Sequence, residues 1–327
     1  MSPETLANLS NLTIPTATVV YTLALVAHAV EWAGHRVAAP SNTAASPAVL
    51  VGAGGPEATG PAQAGETPPA VRRTGSSRTE AASRIGLTLT GLAFVLHAVG
   101  VVTRGLAASR VPWGNMYEFS ITTSLAVVAI YLFGVRRYKL QWLGVGVVAV
   151  VAATLGLAVL KLYTPAGPLV PALHSYWMVI HVSAAAIAGG AFTVGALISV
   201  LYLVKERAER NGTTSAALSR LPGSAAMDAL AYKVHAFAFP VWTFGVLVAG
   251  PIWAEYAWGR YWGWDAKEIW ALVTWIIYAA YLHARATAGW RGRRAAVIAL
   301  LGWGAFLFDF VGVNLFISGM HSYAGVS

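Results

Sequence analysis

The sequence contains no cysteine. That absence excludes disulfides, iron–sulfur ligation, thiolate catalysis and any prosthetic group tethered to this chain through thioether bonds. Charge is scarce as well. Asp, Glu, Lys and Arg make up 11% of the 327 residues, against ~25% in ordinary soluble domains. Acidic residues are the rarer sign, 13 against 22 basic. With so little charge the chain cannot clothe a soluble globule, and 57% of it is hydrophobic with a mean hydropathy of +0.61. Several apolar runs reach the ~18–20 residues that cross ~30 Å of hydrocarbon. The fold class that follows is an all-α polytopic integral membrane protein with the lipid bilayer as its surroundings. A net charge of +9 raises nucleic acid as a partner. The basic residues lie between apolar runs, however, where they serve as orientation signals, so no nucleic acid is expected.

Eight spans are expected, near 13–33, 85–103, 116–135, 140–160, 176–204, 234–253, 268–285 and 295–317. Alternating them places 17 of the 22 basic residues on one side, leaving Arg104, Arg110, Lys161, Arg260 and Lys267 on the other. The positive-inside rule makes the crowded side cytoplasmic and both termini extracytoplasmic. No basic region precedes the first apolar run, so that span reads as retained. Residues 38–83 are rich in Ala, Pro, Gly, Thr and Ser. They cannot bury enough surface to offset their ordering entropy and read as a disordered cytoplasmic linker. The division is then a first transmembrane helix (1–37), the linker (38–83) and a seven-helix domain (84–327).

One stretch of that domain concentrates what the rest lacks. Trp253 to Trp275 (WAEYAWGRYWGWDAKEIWALVTW) holds six of the thirteen tryptophans together with Glu255, Arg260, Asp265, Lys267 and Glu268. On the assigned topology it is extracytoplasmic. Trp258 and Trp262 are four apart and would share a helical face, but Gly259 and Gly263 interrupt the pattern. The expectation is a partly helical or re-entrant loop, tolerated at membrane depth only where protein or a cavity covers it. Its aromatic faces form a platform for a large planar ligand, and Arg260 and Lys267 are suited to pair with carboxylates of an anionic one. Asp265 with Glu268 three residues on is also a capping-box pattern opening the seventh span, a reading that competes with ligand contact. Trp270 and Trp275 read as interface or packing residues. Upstream, RVPWGNMYEFS (110–120) reads either as an interfacial belt with a helix cap or as part of the ligand site. The proline-bearing segment 161–177 reads as a structured cap.

Eight histidines occur. Ionisable groups within spans are functional candidates, with interhelical hydrogen bonding as the alternative. His181, one to two turns inside the fifth span, and His321, after the eighth, flank the tryptophan stretch on its side. Two imidazoles meeting over an aromatic platform are the ligand set of a bis-histidine haem; His174 is the alternative to His181. His283 lies 18 residues beyond Asp265, ~27 Å deeper at 1.5 Å per residue, and can serve only a second, inner site. His28 and His97 read as hydrogen-bonded packing residues, with His28 in reserve for that inner site. His35 and His235 read as interfacial.

PALHSYWMVIHV (171–182), the tryptophan stretch through YLHAR (253–285), GVNLFISGMHSY (312–323) and, more weakly, NMYEFS (115–120) carry a family resemblance. The chain resembles the CcsA (ResC) family of system II cytochrome c biogenesis, whose actinobacterial members are often labelled CcsB, within a superfamily defined by a tryptophan-rich "WWD" signature. The resemblance implies the membrane subunit of a holocytochrome c synthase (cytochrome c haem lyase) in the cytoplasmic membrane. Such a subunit works with a ResB-type partner, exports haem b and presents it to CXXCH motifs of apocytochrome c. By motif, His181 and His321 are the outer haem ligands and the residues expected to carry the catalytic positioning. His283 serves an inner haem whose second ligand comes from the partner, and Trp258, Trp262, Trp264, Asp265 and Arg260 belong to the outer site. Ala266 stands where the family commonly has Pro, a substitution tolerated at the first helical position. The alternative function is a haem transporter or chaperone without synthase activity. A secondary transporter for an anionic solute is disfavoured because no internal repeat is visible.

Overall fold

Long runs of Leu, Val, Ile and Ala leave the backbone one way to satisfy its polar groups in hydrocarbon, which is helix. The computed structural model describes residues 1–34, 77–215, 217–287, 289–317 and 319–321. Among them there is no strand; the long helices are α1 (Pro3–Gly34), α2 (Ser77–Ala107), α3 (Met116–Tyr138), α4 (Gly144–Leu157), α5 (Tyr176–Arg210) and α6 (Ser224–Trp242). They continue as α7 (Gly250–Trp258), α8 (Ala266–Thr287), α9 (Arg293–Leu307) and the short α10 (Val313–Phe316). π-helical turns at Thr243–Ala249 and Phe308–Gly312 join α6 to α7 and α9 to α10, giving continuous rods over Ser224–Trp258 and Arg293–Phe316.

Seven helices are long and apolar enough to cross a membrane: the two rods, α1, α2, α3, α5 and the Leu140–Leu162 helix containing α4. The chain is a multi-pass membrane protein. The remaining expected span, the seventh (268–285), is α8, whose 22 residues suffice in length, but its tyrosines, tryptophans, His283 and end charges keep it less apolar. α2 starts earlier than the expected 85, so residues 77–83 are helix. The rest of the expected linker, with His35, lies outside the described residues.

Successive helices run in opposite directions, so the connections gather at two ends. At the tryptophan end the Trp253 indole donates to Ala172 O (2.9 Å) and Arg104 to Thr164 O. At the opposite end Arg220 reaches Glu31 (2.6 Å) and Arg285 forks onto Asp228 (2.8 and 3.0 Å). One core lies among α1–α4, and a second, built around Phe192, Trp242, Tyr278 and Phe306, joins α5, α6, α8 and α9. α5 is the shared wall. Its small residues from Ala184 to Gly190 let α3, the α6–α7 rod and α9 approach closely.

Candidate functional site

A cleft of about 1110 Å³, its open mouth included, lies at the tryptophan end between α3, α5, α8 and the two rods. Five tryptophans line it: Trp113, Trp242, Trp253, Trp258 and Trp262. So do His181 and His321, which come from α5 and from the segment after α10.

The position of His181 is set from both sides. Ser175 caps α5, its hydroxyl accepting the Trp177 N–H at 3.2 Å, and His181 projects from the second turn. Opposite, Pro240 removes a backbone donor from α6, and the π-helical turn that follows carries Gly245, whose carbonyl accepts both Gly250 N–H and His181 Nδ1–H (2.8 Å). π-turns of this kind often mark functional sites. Gly250 makes the approach possible, because a Cβ there would sit 3.0 Å from His181 Nδ1. A carbonyl can only accept, so the proton is on Nδ1 and the basic nitrogen is Nε2. The imidazole stacks on Trp253, with ring centroids 5.7 Å apart and planes 11° apart.

His321 is held by the tryptophan motif itself. Its Nδ1 donates to Asp265 Oδ2 at 2.7 Å, and Met320 N–H donates to Asp265 Oδ1 at 3.2 Å. The contact with His321, helped by backbone N–H groups, draws the Asp265 carboxyl down to about 2, so it is ionised at neutral pH. With a carboxylate on Nδ1, the basic nitrogen of His321 is again Nε2. His321 meets Trp253 (5.8 Å, 59°) and the edge of Trp258 (5.0 Å, 77°). Trp253 therefore contacts both imidazoles, one on α5 and one from the C-terminal segment.

The loop geometry corrects part of the sequence reading. α7 ends at Trp258, with Gly259 in the left-handed region (φ 69°), so Trp258 and Trp262 do not share a helical face. Both line the cleft nonetheless. Beyond them Trp264 adopts φ 58°, which costs a non-glycine residue ~1–2 kcal/mol. One carboxylate oxygen sustains it: Glu268 Oε2 accepts Gly263 N–H (2.7 Å) and Asp265 N–H (3.0 Å) on either side. The second bond is half of the expected capping box, while the Asp265 carboxylate also reaches His321, so cap and site are one device. Trp264 is 68% exposed and touches the edge of Trp262 without lining the cleft. Arg260 is exposed, turned towards the Met320 sulfur and also outside the lining. Trp275 packs as expected, its indole donating to Thr243 Oγ1 (3.0 Å).

The 110–120 segment is both cap and wall. Asn115 caps α3 by accepting Glu118 N–H (2.9 Å), while Trp113 to Met116 line the cleft. Glu118 is fully buried and gathers Arg104 (2.9 Å), Arg110 (2.7 Å) and Gly114 N–H (2.8 Å), which fixes the turn. Gly250 and the contact of Trp253 with both imidazoles escaped the sequence reading, because no local pattern shows which distant elements a tryptophan or glycine meets.

The remaining histidines separate clearly. His283 is exposed near the far end of α8, and His174 is exposed outside the cleft lining. His28 is buried against Thr90 (3.2 Å) and Glu31 (3.5 Å), and His97 bonds Ile121 O (2.8 Å), both as packing residues. His235 is not interfacial: it is fully buried among Phe192, Tyr278 and Tyr281. α6 begins at Ser224, ten residues before the expected span, which puts His235 three turns inside. Among the described residues no group of three or more His, Asp or Glu converges as a metal-ion site; a pair of imidazoles does converge on one cleft.

A family model described as cytochrome C assembly protein matches residues 113–321, from the first cleft-lining tryptophan to His321. Cytochrome c biogenesis protein CcsA of Synechococcus elongatus is 34% identical over 287 residues, covering 73% of this chain and 87% of that protein. CcsA of Guillardia theta is 36% identical over 261 residues (73% and 85%), and that of Porphyra purpurea 32% over 279 residues (74% and 87%). Among solved structures, the cytochrome c haem lyase CcmF shares the fold, with a TM-score of 0.62 and 15% identity over 99% of this chain. The chain spans about half of that protein, 48% of its length. With its cleft, its two imidazoles and its tryptophan motif inside the matched region, the chain belongs to the cytochrome c assembly protein family, among the CcsA proteins of system II cytochrome c biogenesis.

Proposed function

We propose that this protein is the membrane subunit of a system II cytochrome c synthase, which takes up haem b, exports it and presents it for attachment to the CXXCH motif of apocytochrome c. The observation that carries the reading is the pair His181 and His321 in one aromatic cleft, each with Nδ1 on an acceptor. Ligating histidines are commonly oriented in this way, with the metal on the opposite nitrogen. Haem fits the site on two counts: aromatic walls that suit a flat π surface, and two imidazoles whose Nε2 atoms are left as the basic nitrogens. Haem would supply the iron that the two imidazoles grip and the vinyl groups that react. Each thiol of the acceptor adds across one vinyl group, a carbon–sulfur bond forming while the thiol hydrogen passes to the other vinyl carbon, without net oxidation.

The contribution of this chain is positional, and positioning accounts for much of such a rate gain. His181, on the long packed helix, is the fixed ligand. His321, on the segment after α10 rather than within a long helix, is the one that the acceptor's own histidine replaces. Trp258 and Trp262 touch the haem, while Asp265 holds His321, and Trp264 and Arg260 shape the loop. His283, exposed at the opposite end, takes inner haem with a second ligand from a ResB-type partner. The basic residues of the α3, α5 and α8 ends share that end of the bundle, which supports a cytoplasmic-membrane protein with the tryptophan end extracytoplasmic.

The test is the absorption spectrum of the protein purified with its partner from haem-supplied cells. A low-spin, six-coordinate Soret band is expected, weakened or turned high-spin by His181→Ala or His321→Ala. No band in the wild type, or an unchanged band in both variants, overturns the reading. Haem bound without thioether formation on a supplied apocytochrome replaces it with the transporter or chaperone alternative.

A further inference from the structure

Of the two cations that the tryptophan motif offers an anionic ligand, only one faces the cleft. Lys267 lies in the first turn of α8 and, among the described residues, is the only Lys or Arg that lines the cleft. Its Nζ donates to the backbone carbonyl of Asp309 at 2.6 Å. Asp309 lines the same wall, is 8% exposed, and sits in the π-helical turn between α9 and α10. Its Oδ1 is buried without a hydrogen-bond partner. A buried polar atom left open in a ligand cleft calls for an explanation, and a ligand group is the obvious partner. The neighbouring charges have other work: Glu268 clamps the motif backbone, Asp265 holds His321, and Glu118 is tied by two arginines.

We propose that Lys267 and Asp309 form a carboxyl-recognition subsite, in which a side-arm carboxyl of the ligand accepts from the Lys267 ammonium and donates its own proton to Asp309 Oδ1. A lysine alone would suit a bare carboxylate, but Asp309 beside it repels one. A donor and an acceptor side by side match a carboxyl that keeps its proton. Ammonium, carboxylate and neutral acid then sum to zero charge, as a low-dielectric wall requires. The inference rests on the haem reading above, whose propionate arms are the carboxyls addressed. It gives the subsite a purpose: two ligating histidines leave the ring free to turn about their axis, and a pinned propionate edge stops that turning. The vinyl-bearing side is then directed away from the α8–α9 wall.

Soret titration of the full-length protein with iron protoporphyrin IX and with its dimethyl ester tests this. The wild type should prefer the free acid by about tenfold, the equivalent of one charge-assisted hydrogen bond. Lys267→Met should bring the ratio to about one, while the low-spin band from His181 and His321 reports an intact site. Asp309→Leu, which leaves Lys267 to pair with a bare carboxylate, should keep a preference for the free acid but lose the proton uptake that accompanies free-acid binding by the wild type at neutral pH. Equal binding of both porphyrins by the wild type, or a preference that survives Lys267→Met, overturns the subsite and leaves the haem reading standing. A wild type that binds neither overturns both.

Discussion

The two ends of α8 carry similar residues put to different use. At the tryptophan end the acids Asp265 and Glu268 bond backbone N–H groups and an imidazole, shaping a cleft. At the other end Asp228 meets Arg285 in a fork, accepts Gly292 N–H as well, and leaves His283 exposed. Arg285 also lies over the Tyr232 ring at 4.7 Å. Carboxylates paired with arginine hold loops together, whereas carboxylates paired with N–H groups and histidine set the geometry of a site.

Substitutions can break this contrast, beginning with the largest effect. Asp228→Ala strands the half-buried Arg285 and should cost ~3 kcal/mol, the low end for a broken buried pair. A thermal melt in detergent would show it, with the haem spectrum of the folded fraction unchanged. Glu268→Ala frees two N–H groups and should cost ~2 kcal/mol, but here haem binding should fall with stability, since Trp264 can leave its left-handed conformation. Glu268→Gln keeps one acceptor oxygen and should lose about half as much. Asp265→Asn should cost ~1 kcal/mol and raise the haem reduction potential, because a neutral amide on Nδ1 leaves His321 a less basic ligand; the effect of His181→Ala should be unaltered by it. If Asp265→Asn and Asp228→Ala altered the haem spectrum equally, the contrast would fail.

Acid provides a finer test. Asp265 is depressed from an ordinary value near 3.9 to about 2 by His321. Its contribution is therefore fully present above pH ~4 and is lost as pH falls through about 2. Protease access to the C-terminal segment should rise over that window in the wild type and stay flat with pH in Asp265→Asn. The smallest effect belongs to His283→Ala, within ~0.5 kcal/mol of wild type as for other exposed positions.

Helices and their alternation were legible in the sequence because apolar runs of span length admit few other structures. The candidate pair His181 and His321 was legible too, through sidedness and motif order. What stayed hidden depends on contacts between distant elements. Nothing local announces that Gly245 offers its carbonyl to His181, or that Trp253 touches both imidazoles. His235 was misplaced because α6 begins ten residues before its apolar run, in a stretch with Asp228 and Lys233 that looks like loop. Asp265 looked like a cap or a contact, and the two readings proved compatible.

Phe192 and Tyr278 stack at 3.8 Å and 4° beneath the cleft, with His235 and Trp242 packed around them. That plug is solid protein between α5, α6 and α8. A flat cargo a nanometre or more across cannot be threaded down this axis without prising the helices apart. If haem is collected at the His283 end, as proposed above, it has to climb the flank of the bundle, shielded by lipid tails or by a neighbouring subunit. The machine is then closer to a staircase with a landing than to a pipe.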